Sequence, residues 1–567
     1  MASKRQHTTL SVTNTHRDLL QKRFKHQLTI FERLPNELHI EIFSYLLHVD
    51  IVYAFSQLNN RFQNLILNHC HTFDFKSINS TKFKCIIRQH QPERWRYLRL
   101  SNETETPGQI IYFFRQSPFK TCLTQLKNLS LTNMKPIDAQ ELIPQLKTFT
   151  YLVSLTIGNI CGKTISSLEL PSLKYLVLTS CKITKWMKNF NQLEKLEHTI
   201  EYDCIHDHNL IWPISLKQLK VSYTQQGDGE IVYASLCHLS QLESLSLYDN
   251  TCSSLPPDGQ KWEKLITSSL TCLNEFQFCF KFWKDSSFIG DVNRIVSTFS
   301  TPFYLKEKQW FIQCDSHHQQ FSVALLYSLP FAFERFEIVT HSFDQSISTV
   351  NDDYKKNMNL YTNVNTLIVN VNCENLNENL LNGNIQHLVL KYSDSLNKWI
   401  FSMTQIRQLS LGSQIDMSSK EFACLLKNTP YLESLNASYH TLNYLTTDWQ
   451  NKVICRLLSC KILSLNLCFD EYLSPHTQNY VNVYEVLSIV RVFGKRCQHL
   501  TVSVYNRNVV AGLILRTMKH LHSLKVYLKE HDDLKINKEW LKTQNITFDC
   551  FINVNNNEYT FWFNNRH

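Results

Sequence analysis

Cysteine and histidine are the residue types in this sequence that could support metal binding or nucleophilic catalysis. The chain has 18 cysteines and 23 histidines among 567 residues. A structural zinc site needs four convergent ligands, usually in two close pairs, and no CxxC pair occurs. The nearest approximations each lack a second pair: His206/His208, His317–His318 and Cys455/Cys460. We therefore expect no metal site.

Motifs for catalysis and for phosphate binding are also missing. The sequence has no GxSxG, P-loop, HExxH or kinase motif, and its one GxG, Gly227-Asp-Gly229, has no helix pattern after it. Glycine is only 11 of 567 residues, so loops that could cradle a phosphate are scarce. The sequence thus predicts a protein without catalytic residues or cofactors. An enzyme whose site leaves no motif is the weakest alternative.

Composition and length predict a large, folded protein. Hydrophobic residues make up 43% of the chain and charged residues 19%, and 567 residues exceed what one compact core contains. No window of 18 consecutive apolar residues exists, and the N-terminus lacks an apolar signal core, so we expect no membrane association. The cysteines are then expected to be reduced thiols, in cytoplasm, nucleus or both.

Part of the net charge of +9 lies at the N-terminus. Residues 1–26 carry six lysines and arginines against the single acid Asp18. A nucleic-acid or membrane arm would account for this bias, but no aromatic residue is interspersed before Phe24. We favour a disordered basic tail over residues 1–27, with neither nucleic acid nor membrane as a partner.

A short pattern, apolar-x-x-Leu-x-apolar, returns throughout the rest of the chain. Most steps between copies are 20–31 residues, close to the period of leucine-rich repeats. Alternating apolar residues predict a short strand with one buried side, and a single such unit cannot bury its own face, so units must stack. Clear copies occupy 126–131, 152–157, 173–178, 216–221, 242–247, 273–278, 333–338, 364–369, 385–390, 406–411, 432–437, 497–502 and 521–526.

Residues 279–332 interrupt this rhythm and are rich in aromatic side chains. The aromatic residues are Phe280, Phe282, Trp283, Phe288, Trp310, Phe311 and Phe321. Two interpretations stay open: a degenerate repeat with a bulky core, which we favour, and an inserted loop with an aromatic contact surface.

The strand positions between the buried ones should line the concave face of the stack. They are mostly hydroxyl and amide residues, too sparsely basic for nucleic acid. We therefore predict a protein or peptide ligand held by neutral hydrogen bonds that depend weakly on salt, with Tyr175 and Tyr248 as anchors. The few charges are mixed: Lys220, Arg335, Lys391 and Lys525 against Glu275 and Glu337.

Three short helices are predicted ahead of the repeats. Pro35 suits a first helical turn, and the residues from Leu38 to Leu47 form an apolar arc of about 220° on a helical wheel, against roughly 100° for an ordinary surface helix. Asp50 can cap a second helix, and residues 61–67 suit a third. The first helix must therefore bury two faces, one of them against another protein or against the rest of this chain.

Residues 31–70 resemble an F-box. Leu34-Pro35, Glu37-Leu38, Ile42-Phe43 and Leu46 match the family pattern, while the frequent tryptophan of the third helix is Phe62 here. The resemblance implies docking on the Skp adaptor of a cullin–RING ubiquitin ligase. The residues it implies, divided between adaptor contact and the module core, are Leu34, Pro35, Leu38, Ile42, Phe43 and Leu46.

These expectations combine into one architecture and two candidate functions. The fold class is an α/β repeat: a disordered tail (1–27), a three-helix F-box (28–76) and an irregular leucine-rich-repeat solenoid, or horseshoe (77–567). We expect a non-catalytic substrate-recognition subunit of an SCF-type ubiquitin ligase, whose repeats bind an unidentified target protein. The alternative is a repeat scaffold whose F-box acts outside any ligase.

Overall fold

The structure is a computed structural model that describes most of the chain from residue 31 to residue 563. The predicted tail, residues 1–27, lies outside the described residues. Within the range, the description omits 117–122, 161–167, 182–189, 201–209, 224–227, 254–256, 284–291, 317–322, 339–344, 352–358, 371–379, 381–383, 394–397, 469–479, 506–512, 530–537, 544–549 and 556–557.

Three short helices open the described chain, α1 Asn36–Ser44, α2 His48–Phe55 and α3 Asn60–His69. Pro35 precedes α1, and the Asn59 side chain accepts a hydrogen bond from the Phe62 backbone N–H at the start of α3. Aromatic rings form the centre of this module: Phe31 stacks on Phe55 and Phe62 with ring centroids 5.8 Å apart in both pairs. The three helices thus share one small aromatic core.

Nine strands then build most of a first sheet, and every neighbouring pair among them is parallel. Leucines of successive units lie directly opposite one another, as Leu98, Leu129 and Leu155 do. This in-register stacking is the solenoid geometry that the repeated sequence pattern predicts. The strands are β1 Thr72–Asp74, β2 Tyr97–Ser101, β3 Asn128–Thr132, β4 Ser154–Ile160, β5 Tyr175–Cys181, β6 Lys195–Ile200, β7 Gln218–Tyr223, β8 Ser244–Ser253 and β9 Glu275–Trp283.

The aromatic-rich segment 279–332 adds antiparallel strands to the first sheet instead of a degenerate parallel repeat. This corrects the favoured interpretation. The strands β10 Phe311–Ser316 and β11 Val323–Leu329 join the sheet in the order β9-β11-β10, and β13 Gln345–Ser348 closes its edge, all antiparallel. The bulky core was expected correctly, because Phe280 and Phe282 are buried. Of the other aromatic residues, Trp310 and Phe311 are half-buried, Trp283 is exposed, and Phe288 and Phe321 lie outside the described residues.

A second sheet resumes the parallel stacking after this reversal. Its register again aligns central leucines, for example Leu409 opposite Leu435 and Leu435 opposite Leu465. The parallel strands are β12 Arg335–Ile338, β14 Thr366–Val369, β15 His387–Ser393, β16 Gln408–Ile415, β17 Ser434–Asn436, β18 Ser464–Asn466, β19 His499–Val504 and β20 Ser523–Leu528. Two antiparallel strands, β21 Cys550–Asn555 and β22 Glu558–Phe563, end it in the order β20-β22-β21.

Helices and turns connect the strands and cover the buried side of the sheets. Side-chain caps start several of them; Ser418 and Glu421 form a capping box on α10, as Asn482 and Glu485 do on α13. The helices are α4 Ser80–Gln89, α5 Gln109–Gln116, α6 Pro136–Leu142, α7 Asp228–Ser235, α8 Gly259–Ser268, α9 Val292–Thr298, α10 Ser419–Asn428, α11 Tyr439–Leu445, α12 Lys452–Lys461, α13 Val483–Phe493, α14 Leu515–Thr517 and α15 Lys538–Thr543. Shorter 3₁₀ turns occupy Pro92–Arg94, Ile143–Thr148, Leu236–His238 and Lys398–Ser402, and a π-helix occupies Phe303–Lys308.

The two sheets meet at both of their ends, so the solenoid closes into a ring rather than an open horseshoe. In the middle of the chain, Tyr248 of the first sheet contacts Phe333 just before the second, with ring centroids 5.0 Å apart. At the other meeting point, which we call the seam, Trp562 of β22 packs against Phe83 of α4 at 5.1 Å. The closure follows from β22, whose Phe561 and Phe563 belong to the second core while Trp562 belongs to the first.

Two further observations concern the described residues as a group. None of their helices is both long and apolar enough to cross a lipid bilayer. The eleven cysteines whose side chains are described are free thiols, and burial raises the pKa of Cys70 and of Cys497 to about 12.

Candidate functional site

Exposed apolar side chains lie on α1 and on the turn that follows it, which joins α1 to α2. Leu38 and Leu46 are 43% and 42% exposed, and Tyr45 and Leu47 are more exposed still. Six of the nineteen exposed large apolar residues in the described part of the chain lie between residues 38 and 58. Such clusters on soluble proteins mark contact sites for other proteins. We call Leu38, Tyr45, Leu46 and Leu47 the α1 surface.

The residues that the F-box resemblance implied divide between this surface and the core. Phe43 is buried and packs against Phe55 with ring centroids 5.4 Å apart, so it belongs to the module core. Leu34 and Ile42 are half-buried, whereas Pro35, Leu38 and Leu46 are exposed. The exposed members lie just before α1, on α1 and just after its last residue, Ser44.

His39 is a polar residue of α1 that belongs to the core of the module. It is fully buried, its ring meets Phe31 and Phe62 edge-on at 4.9 Å, and its Nε2 lies 3.0 Å from the Phe31 carbonyl oxygen. A hydrogen bond to the main chain lets a histidine substitute for an apolar residue here. Nothing in the helical periodicity distinguishes this histidine from an exposed one.

Arg61 positions the segment that leads into α1, and sequence reasoning missed it. Its guanidinium donates to the carbonyl oxygens of Glu32 and Leu34 and, at 2.8 Å, to the Asn36 side chain. The Asn59 amide also donates to the Glu32 carboxylate at 2.6 Å. These bonds hold Leu34-Pro35 in place on α3, so the entry into α1 is fixed.

The helical module is joined to the solenoid through a shared core. Residues of the helices and of the first strands belong to one continuous apolar cluster, which includes Phe62 and Phe73. Polar contacts add to it: Ser56 donates to Gln89 of α4 at 2.6 Å, and Lys82 of α4 pairs with Asp50. The sheet begins at Thr72, inside the range 28–76 assigned to the module, because β1 pairs with β2. The α1 surface is therefore fixed relative to the repeats.

The two tyrosines predicted to anchor a ligand have different surroundings. Tyr175 is 41% exposed on β5. Tyr248 is half-buried against Phe333, and burial raises the pKa of its hydroxyl far above the usual range. The structure places them on strands three units apart and does not bring them into contact.

Many hydroxyl and amide groups of the concave face bond to one another. Ser246 donates to Gln277 at 3.1 Å, and Ser410 receives a hydrogen bond from Asn436 at 2.9 Å and lies 2.9 Å from His387 Nε2. Burial lowers the pKa of His387 to about 4, which keeps this ring neutral near pH 7. Side chains engaged in this way stabilise the sheet and have less capacity left for a ligand.

The candidate metal ligands do not form a site within the described part of the chain. Cys460 is exposed and Cys455 half-buried on α12, and no group of three or more potential ligands occurs among the described residues. His206/His208 and His317–His318 lie outside those residues.

No protein-family model matches the chain, and no curated protein matches it either. Among the solved structures that are similar to it are three bacterial proteins. An internalin (InlF) of Listeria monocytogenes is 16% identical over 61% of this chain and 81% of that one, with a TM-score of 0.22. A leucine-rich-repeat protein of Leptospira interrogans is 13% identical over 76% and 88%, with a TM-score of 0.23.

The functional domain of InlJ from Listeria monocytogenes, which includes a cysteine ladder, is 12% identical over 83% of this chain and 85% of that one. Its TM-score is 0.20. Because these TM-scores are low, the evidence for the repeat architecture is the parallel, in-register pairing of strands within this chain.

Proposed function

We propose that this protein is a non-catalytic receptor that joins two other proteins. The α1 surface would bind an adaptor of the Skp class and, through it, a cullin–RING ubiquitin ligase, while the solenoid binds the protein to be modified. The receptor would act by proximity, holding its target near the ubiquitin-conjugating enzyme.

The observation that carries the proposal is the α1 surface itself. Apolar side chains stay outside on α1 and on the turn after it, while Phe43 of the same helix already lies in the apolar core. Leaving such side chains in water costs free energy, at about 25 cal/mol for each Å² of apolar surface that a partner could cover. The agreement of Leu34-Pro35, Leu38 and Leu46 with the F-box pattern indicates which kind of partner that is.

The experiment is a titration of purified adaptor into the full chain, with Leu38→Asp as the test variant. We expect at least a hundredfold loss of affinity, because a carboxylate would be buried without a partner in the interface. Leu487→Asp is the matched control: Leu487 is also a helical leucine, 45% exposed against 43% for Leu38, but it lies on α13. Equal adaptor binding by both variants would contradict the proposal.

A second measurement separates the ligase function from the alternative scaffold function. Purified cullin is added to the complex of this chain with the adaptor, and the three proteins are run together on a sizing column. A ternary complex supports the ligase subunit. A stable binary complex that excludes cullin favours a repeat scaffold acting outside a ligase.

A further inference from the structure

The seam encloses a cavity built from both ends of the chain. Its volume is about 460 Å³. The floor is the concave face of the last strands, where Asn466, Thr501, Lys525 and Thr560 are direct register neighbours across β18, β19, β20 and β22. The walls are the loops 102–108 and 133–136 that follow β2 and β3. We call it the seam cavity; it exists because the ring is closed.

Two ammonium groups of the seam cavity share one inward carboxylate. Lys135 Nζ and Lys525 Nζ lie 2.9 Å and 3.3 Å from the same oxygen, Oε1 of Glu558. All three side chains are largely buried. Glu103 also lines the cavity, but it forms an ion pair with Lys76 at 3.2 Å. Asp138 of α6 is a further buried acid near Lys135 and Glu558. Because the two ammonium groups share one carboxylate oxygen, both keep N–H donors from which a second carboxylate can accept, in a setting that strengthens such bonds.

A buried amide adds a donor that has no partner in the described part of the chain. Asn102 lines the cavity; its Oδ1 accepts from the Ile110 backbone N–H at 3.1 Å, while its Nδ2 is buried and bonds to nothing among the described residues. A buried N–H without an acceptor costs about 1–3 kcal/mol. An acceptor group entering the cavity would recover that cost.

Tyrosines and a further lysine extend the site along β20. Lys525 and Tyr527 are two residues apart and therefore lie on the same face of the strand, and Lys529 follows just past its end. The Lys525 ammonium lies 5.0 Å from the centre of the Tyr527 ring. Lys529 lies 4.8 Å from the Tyr505 ring and 6.0 Å from the Tyr480 ring, and those two rings are 5.9 Å apart. We call Tyr480, Tyr505 and Lys529 the rim.

We propose that the seam cavity and the rim together bind an acidic peptide segment of the target protein, an inference that rests on the proposed function. One carboxylate of the segment would pair with Lys135 and Lys525 and accept from Asn102, and a second would pair with Lys529. Four residues of extended chain span roughly 13 Å, the separation expected between residues 525 and 529 of a strand. The acids should therefore be four positions apart, with the tyrosine rings covering the residues between them.

The test is a selection of random nine-residue peptides from a display library against the full chain. We expect the selected peptides to carry two acidic residues four positions apart. The double variant Lys525→Met, Lys529→Met should bind them at least tenfold more weakly in fluorescence anisotropy. Lys220→Met is the matched control, because Lys220 occupies the same place in β7 as Lys525 in β20 and pairs with Glu197 at 2.9 Å.

Selected peptides without an acidic bias, or equal binding by the double variant, would overturn the proposal. So would a site that serves only small anions: inorganic phosphate would then raise the melting temperature in a Lys525-dependent way while no acidic peptide is selected. Adaptor binding through the α1 surface is measured on the same double variant and should be unchanged. A failure of peptide binding is thus distinguishable from a failure of the proposed function.

Discussion

His198 occupies a strand position that the neighbouring units fill with apolar residues. On β6 it is the register partner of Leu178 and of Val221, and it is fully buried. Neither ring nitrogen forms a hydrogen bond to a described residue. Burial, opposed only in part by the nearby Leu178 carbonyl, lowers the pKa of His198 to about 4. Between pH 6.5 and about 4, His198 is therefore mostly neutral in the folded chain and mostly protonated in the unfolded chain.

This difference predicts acid lability. From pH 6.5 down to about 4 the unfolded state gains the proton first, so stability falls with pH, by up to about 3 kcal/mol for this one group. His198→Leu should remove that part of the loss and raise the melting temperature at pH 5 more than at pH 7.5. Calorimetry over this pH range is the measurement.

The control is His238→Leu, which replaces an exposed histidine and keeps the buried His198. His90 and His499, whose pKa values burial also lowers to about 4, keep part of the dependence in the His198 variant. A melting-temperature profile that is the same in His198→Leu and wild type would contradict this account.

At the scale of elements, neighbouring helices of the solenoid are tied by cations that reach back to carbonyl groups. Lys461, at the end of α12, donates to the carbonyl oxygens of Leu426 and Thr429 at the end of α10, at 2.6 Å and 2.8 Å. Arg496, just after α13, donates in the same way to the Cys460 carbonyl oxygen at the end of α12. The last carbonyls of a helix carry partial negative charge and lack helical partners, so each cation caps the preceding unit.

Lys461→Met should therefore lower the free energy of unfolding by about 1–3 kcal/mol, because it leaves these carbonyls without their charged donor while keeping the aliphatic stem. The matched control is Lys452→Met, an exposed lysine in the first turn of the same helix, where a positive charge gains nothing from the helix dipole. Chemical denaturation of both variants makes the comparison. An equal change in the free energy of unfolding of the two variants would mean that the bonds from Lys461 to the α10 carbonyl groups do not stabilise the fold.

The sequence predicted the elements better than their directions. Leucine spacing marked most of the strands, because a buried residue at every unit is what stacking requires, as Leu129 and Leu155 illustrate. It could not reveal that β11 runs antiparallel, since the apolar run VALLYSL is buried on both faces and carries no directional signal. Likewise, helical periodicity identified the α1 surface but not the core role of His39 or the bonds from Arg61, which depend on tertiary contacts.

At the scale of the whole molecule, one residue near the end of the described chain packs across the seam into the core of the first half. Trp562 is completely buried and belongs to the core of the first half. Across the same seam, the Ser523 hydroxyl donates to the Thr104 carbonyl oxygen. Neither the repeat period nor local pattern could predict these contacts, which join residues more than four hundred positions apart.

Trp562→Ala should destabilise both ends of the array together, by about 3–5 kcal/mol. Hydrogen exchange followed by mass spectrometry should then show loss of protection in α4, hundreds of residues away from the substitution. Trp283→Ala is the control; that side chain is 47% exposed, and its loss should leave α4 protected. A response confined to β20, β21 and β22 would mean that the seam is only a surface contact.

The seam also bears on how the chain folds as it is made. Phe83 is synthesised about 480 residues before Trp562, an interval of roughly half a minute to a minute and a half at about 5–20 residues per second on the ribosome. Throughout that time the first units have emerged with an apolar face for which no partner yet exists. Exposed faces of this kind are what chaperones bind, so the nascent first half of this protein should need protection until the last strand is released.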